Sequence, residues 1–128
     1  MFLGGLARSL VDSGDQDFSL FEQDVPANSP PVPAHVHDDY DEAFYVLDGT
    51  VWSSHGQDDQ PVQAGGFVMI SKGMRHRFWN PTDHPARMLV IGHPRVQALV
   101  EQIAPLVRRG DYAAVSAAFA EHNSRLVD

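Results

Sequence analysis

Short apolar runs, each stopped by a cluster of turn-forming residues, leave this chain few architectures. Phe18 to Val25 stops at Pro26-Ala27-Asn28-Ser29-Pro30-Pro31, Glu42 to Leu47 at Asp48-Gly49, and Phe67 to Ile70 at Ser71-Lys72-Gly73. Arg75 to Trp79 and Ala86 to Ile91 flank Asn80-Pro81-Thr82-Asp83-His84-Pro85. Runs of this length and spacing predict an all-β sandwich or barrel rather than alternating strands and helices. Asp48-Gly49, between Leu47 and the Thr50 to Ser53 run, predicts a hairpin. Gln57-Asp58-Asp59-Gln60-Pro61 predicts a polar loop.

The pattern changes after Pro94. Val96, Leu99, Val100, Ile103 and Val107 recur at helical spacing. Pro105 predicts a kink or an end near Ala104. Gly110 reads as a stop and Asp111 as the N-cap of a second helix, with Tyr112, Val115 and Phe119 on one side. About thirty residues cannot bury a core of their own. The expected organisation is therefore one domain over residues 1–128, with a barrel from about 15 to 93 and a helical tail from about 94 to 128 packed on it.

With 128 residues and 43% hydrophobic content, the chain can bury one core without cross-links. It has no cysteine, which excludes disulfides and thiolate sites and leaves His and carboxylates as the available metal ligands. The formal net charge of −8, with only 9 basic residues and no basic run, argues against a nucleic-acid partner. No run is long and apolar enough to span a membrane, and Met1 to Arg8 do not read as a secretory signal. A cytoplasmic location is expected.

His35 and His37, two apart on a strand, project from the same face. Glu42 joins them if Asp38-Asp39-Tyr40-Asp41 turns the chain back. Glu42, Phe44 and Val46 then share a face, with Glu42 at the rim. His76 arrives on a later run, with Phe78 on its side. Imidazoles plus a carboxylate suit one divalent transition ion, such as Fe, Mn, Ni, Cu or Zn, better than Ca or Mg. A His-x-His pair alone is more often ordinary surface polarity. The spacing of the whole set is what weighs against that: His35-x-His37-x₄-Glu42-x₆-Gly49, then Gly65-x₅-Ser71-x-Gly73-x₂-His76-x₃-Asn80.

Together these closely resemble the two signature motifs of the cupin superfamily, over roughly Phe18 to Ile91. Two positions depart, neither a proposed ligand: Ser29 stands where the first motif opens with glycine, and Ser71 where the second carries proline. The resemblance implies a double-stranded β-helix, or jelly roll. It also implies a metal inside the barrel on His35, His37, Glu42 and His76, and a homodimer. The phrasing Pro33-Ala34-His35-Val36-His37, Glu42-Ala43-Phe44-Tyr45-Val46-Leu47-Asp48-Gly49 and His76-Arg77-Phe78-Trp79-Asn80-Pro81 is similar to that of quercetinase-like members.

The expected function is metal-dependent oxidoreductase chemistry of the dioxygenase type on a small aromatic or phenolic substrate. Glu42 serves as catalytic base, and Phe44, Phe78 and Met69 line the substrate pocket. The alternatives are non-redox isomerase or cyclase chemistry, which needs only a Lewis acid, and a binding protein without turnover. Tyr40 and Arg75 read as rim residues, Asp38, Asp39 and Asp41 as a solvated turn, and His55, His84, His93 and His122 as surface or structural.

Overall fold

A computed structural model of the protein describes residues 7–11, 17–29, 31, 33–55 and 58–127. The segment Met1 to Leu6, considered above for a leader, lies outside the described residues, as do the side chains of Val107 and Arg108. Ten strands and two helices follow in the order β1 (Ala7–Ser9), β2 (Ser19–Val25), β3 (His35–His37), β4 (Glu42–Asp48), β5 (Thr50–His55), β6 (Asp59–Gln63), β7 (Phe67–Ile70), β8 (His76–Trp79), β9 (Ala86–Gly92), α1 (Pro94–Arg108), α2 (Tyr112–Glu121) and β10 (Ser124–Leu126).

The strands form two antiparallel sheets, ordered β1-β2-β9-β4-β7 and β10-β3-β8-β5-β6. The apolar runs predicted such a sandwich, and the resemblance its jelly-roll form. Alternation puts one side of each strand into the space between the sheets. Phe21 and Val25 enter from β2, Phe44 and Val46 from β4, Val68 and Ile70 from β7, Phe78 from β8, and Met88 and Val90 from β9. Val96, Leu99 and Ile103 of α1 and Val115, Ala118 and Phe119 of α2 belong to the same core. The helical tail therefore closes one end of the sandwich.

Four local expectations are corrected. Asp48-Gly49 is not a hairpin, because β4 pairs with β7 and β9 while β5 pairs with β6 and β8. Gly49 instead turns the chain from one sheet to the other at φ +76°, so close to the next segment that a Cβ there would lie 2.7 Å from the Pro85 carbonyl oxygen. Asp59 to Gln63, taken largely as loop, is edge strand β6, where Pro61 costs no ladder bond with a further strand. Helix α1 runs past Pro105 to Arg108. The proline sits in the last turn, and Glu101, whose carbonyl loses its partner, is exposed to water. Tyr112 is 49% exposed rather than buried beside Val115 and Phe119.

The sheets also extend past the expected barrel limits. β1 precedes residue 15 and pairs with β2, Arg8 binding Glu22 and Asp24. β10 lies within the expected helical tail and pairs with β3. As expected, Asp111 caps α2, its Oδ1 accepting from the Ala114 N–H at 3.2 Å, and Gly110 ends the preceding turn at φ +70°.

Both departures from the motif have a local reason. Ser29 bridges to Asn80, and its Oγ accepts the Asn80 N–H at 3.1 Å. Asn80 is fully buried. Its amide donates to the Val25 and His84 carbonyls and its Oδ1 accepts from the Thr82 hydroxyl, tying the 80–85 loop to the end of β2. Ser71 offers its carbonyl to the Met74 N–H in a turn, which needs no proline.

Candidate metal centre

The site draws on both sheets. β3 and β8 of the second sheet carry the imidazoles, with His35 directly opposite His76. Glu42 begins β4 of the first sheet, opposite Ile70 and Gly92. The Asp38 to Asp41 segment does turn the chain back, held by the Lys72 N–H on Asp41 Oδ1 at 2.8 Å and the Asn123 side chain on Asp39 Oδ2 at 2.9 Å.

One nitrogen from each of His35, His37 and His76 lies within 4.8 Å of the other two, and all three residues are buried. Their ring centroids are 4.1 to 5.1 Å apart. Each Nδ1 is engaged on the outer side. His35 Nδ1 meets the Pro33 carbonyl at 2.7 Å, His76 Nδ1 the Met74 carbonyl at 3.0 Å, and His37 Nδ1 the Ser124 hydroxyl at 2.6 Å. Partners at Nδ1 turn the Nε2 atoms inward as ligands. Burial, and then the neighbouring His37, pushes the His35 pKa down to about 3; burial, and then His35, does the same to His76. Both imidazoles are therefore neutral at physiological pH, the form that binds metal.

Glu42 is 5% exposed, with Oε2 2.9 Å from His37 Nε2. Burial alone would raise its carboxyl; contact with His37, and then the proximity of His76, outweighs this and holds it below the ordinary value. The close approach lacks hydrogen-bond alignment, since Glu42 Oε2 and His76 Nε2 are both buried without a hydrogen-bond partner. Buried orphan acceptors pointing at one space call for a cation. The 2.9 Å separation is also close to that of two ligands at about a right angle on one ion, each roughly 2.1 Å away. The donor set fits a divalent transition ion.

A cavity of about 30 Å³ adjoins the ligands. Phe21, Gln23, Phe44, Phe78 and Val90 line it from the sheets, and Val96, Leu99, Val100, Ile103 and Phe119 from the helices. Phe44 and Phe78 meet edge to face at 5.2 Å, and Phe119 stands in the same way against His35 at 5.2 Å. Met69, expected in this lining, is instead 47% exposed on the outer face of β7, because Val68 and Ile70 take the inward positions.

Several contributors escaped the sequence reading. Tyr40 is not a rim residue: it is buried, stacks between His37 and His93, and donates to the His122 carbonyl at 2.7 Å. Gln23 has no spacing relation to any ligand; only the alternation of β2 points it inward. His55 lies opposite His76 on β5, hence on the same sheet face, with its Nδ1 3.1 Å from Ser53 Oγ. The Val51, Ser53, His55 alternation could have shown this.

The cupin-domain family model matches residues 21–92. Among solved structures, a cupin-2 domain protein from Shewanella frigidimarina NCIMB 400 is 23% identical, with 67% of this chain and 78% of that one covered at a TM-score of 0.56. A cupin 2 conserved barrel protein from Salinispora arenicola CNS-205 is 22% identical, with 71% and 76% covered at 0.59. A sugar phosphate isomerase of the cupin superfamily from Silicibacter pomeroyi DSS-3 is 26% identical, with 62% of this chain covered at 0.57; the chain spans 52% of that protein's length. No curated protein matches. Among the described residues, no helix is long and apolar enough to cross a membrane.

Proposed function

The chain belongs to the cupin family, and on that premise we propose a metal-dependent oxidoreductase of the dioxygenase type acting on a small aromatic or phenolic molecule. The observation carrying this reading is the cavity's composition. Two of the three imidazoles, His35 and His37, and the Glu42 carboxylate line walls that are otherwise apolar apart from Gln23, with no Lys or Arg among the described lining residues. Such walls suit an uncharged ring better than a phosphorylated or otherwise anionic molecule.

A bound iron, manganese, nickel, copper or zinc ion supplies Lewis acidity toward a substrate oxygen and, where redox-active, reactivity toward dioxygen. The chain's own residues do the rest. Glu42, ionised at neutral pH, takes the proton of a phenolic hydroxyl, which leaves a phenolate and a neutral carboxylic acid. Phe44 and Phe78 form the wall against which the ring lies. Helices α1 and α2 wall one side of the space, which holds a water or two as it stands, so a ring-sized substrate needs it to widen.

The test is elemental analysis of the purified protein and of His76→Ala, followed by oxygen-uptake assays with phenols and diketones under anaerobic metal loading. About one redox-active ion per chain, lost in the variant, together with substrate-dependent oxygen uptake, supports the proposal. Oxygen uptake absent at full metal occupancy overturns it. The Silicibacter pomeroyi neighbour's name favours a second reading, non-redox isomerase or cyclase chemistry, and zinc with turnover but no oxygen uptake would select it. Tight ligand binding without product would select a binding role.

We also propose a homodimer built on the outer face of the first sheet. Tyr45 lies opposite Phe67, and Ala43 opposite Met69, where β7 forms the sheet edge. Phe67, Met69 and Tyr45 are 58, 47 and 38% exposed, an apolar strip that a second copy would cover.

A further inference from the structure

The three histidines are not held in the same way. His35 and His76 each place Nδ1 against a carbonyl two residues back on their own segment, Pro33 and Met74. His37 relies on a side chain 87 residues away, the Ser124 hydroxyl at 2.6 Å. β10 brings it there by pairing with β3, Ser124 opposite His37 and Leu126 opposite His35.

With a cation on His37 Nε2, the donors and acceptors around Ser124 all find partners. Tyr40 Oη lies 2.7 Å from the His122 carbonyl and 2.9 Å from Ser124 Oγ, and Ser124 Oγ lies 3.1 Å from the same carbonyl. Both hydroxyls donate to the His122 oxygen, which has two lone pairs, and His37 Nδ1–H donates to Ser124 Oγ. This leaves the His37 Nε2 lone pair for the cation, beside Glu42 Oε2. Independent contacts fix β10 in place. The Asp38 N–H donates to the Asn123 carbonyl at 2.9 Å, Arg125 Nε reaches Asp38 Oδ1 at 3.3 Å, and the Val127 N–H donates to the Ala34 carbonyl at 2.9 Å. Asp38 and Asp39 thus anchor the strand from an exposed turn.

We propose that Ser124 is a positioning residue for His37: its hydroxyl sets that ligand's tautomer and direction, so the docked C-terminal strand governs the affinity of the metal site. This rests on the reading of the histidines as ligands.

The test uses the full chain stripped of metal, as wild type, Ser124→Ala and Ser124→Thr. Zinc and cobalt(II) affinities are measured by chelator competition, the cobalt visible spectrum is recorded, and histidine tautomers are read by ¹⁵N NMR after zinc is added. We expect Ser124→Ala to bind both ions about 10 to 100-fold more weakly with displaced cobalt bands, and Ser124→Thr to recover most of the affinity. In the wild type, His37 should carry its proton on Nδ1. Wild-type affinity and spectrum in Ser124→Ala would overturn the proposal. So would an Nε2–H tautomer of His37 in the wild type, a measurement that stands even if the alanine variant does not fold. A wild type that binds neither ion would instead count against the metal reading.

Discussion

His35 and His76 stay neutral because burial denies them a proton, and this has a signed consequence for stability. In the unfolded chain each imidazole protonates near 6.5; in the fold, near 3. Below about pH 6.5 the unfolded state binds protons that the folded state refuses. The metal-free protein is therefore most stable above that pH and weakens progressively down to about pH 3. Glu42, whose carboxyl is lowered by folding, acts in the same direction further down. Urea midpoints of the metal-free protein at pH 7.5 and pH 5 should fall with pH; a rise would contradict the burial argument. Protons also compete with metal for these ligands, so affinity should fall over the same range. Glu42→Gln keeps the shape but removes the base. If the carboxylate takes the substrate proton, kcat of the metal-loaded protein should drop by roughly 10² to 10⁴-fold, measured at equal metal occupancy.

Individual elements differ in how far their sequence betrays them. β2, β4, β7, β8 and β9 were legible as apolar runs between turns, and the four ligand positions came from motif spacing. The direction of Met69 was not legible: Phe67-Val68-Met69-Ile70 is apolar on both sides, so its parity carries no information about which pair faces inward. β6 is exposed along most of its length and has no apolar face to announce it. β10 is three residues long and acquires meaning only from β3, a partner remote in sequence. The Asp48-Gly49 corner looks like a hairpin locally, since only the other strands decide that β4 and β5 join different sheets. Gly49→Ala tests that corner. A Cβ would meet backbone at 2.7 and 2.9 Å on a residue at positive φ, so it should destabilise by more than about 1 kcal/mol, seen as a lower urea midpoint. Asp111→Ala, removing the cap of α2, should cost about 1 kcal/mol by the same measurement.

At the scale of the whole molecule, the helical tail is a closure rather than an appendage. Phe119 is 3% exposed, packs on His35 and joins the barrel core. Phe119→Ala should cost about 3–5 kcal/mol and enlarge the cavity, giving a lower unfolding temperature and faster entry of small apolar probes to the metal. Phe67→Glu, on the proposed dimer strip, should shift the protein toward monomer in light scattering while leaving metal stoichiometry intact.

The pairing of Ser124 with His37 also sets a schedule. A ribosome adding about 5–20 residues per second finishes His37 several seconds before it reaches Ser124, 87 residues later. Once His76 is made, the nascent chain has all four proposed ligands but still lacks the hydroxyl that orients one of them. If Ser124 sets the affinity as proposed, an ion met early exchanges freely until β10 docks. On the proposed role of Ser124, the ion retained is then the one available when β10 docks, not the one the first histidines encounter.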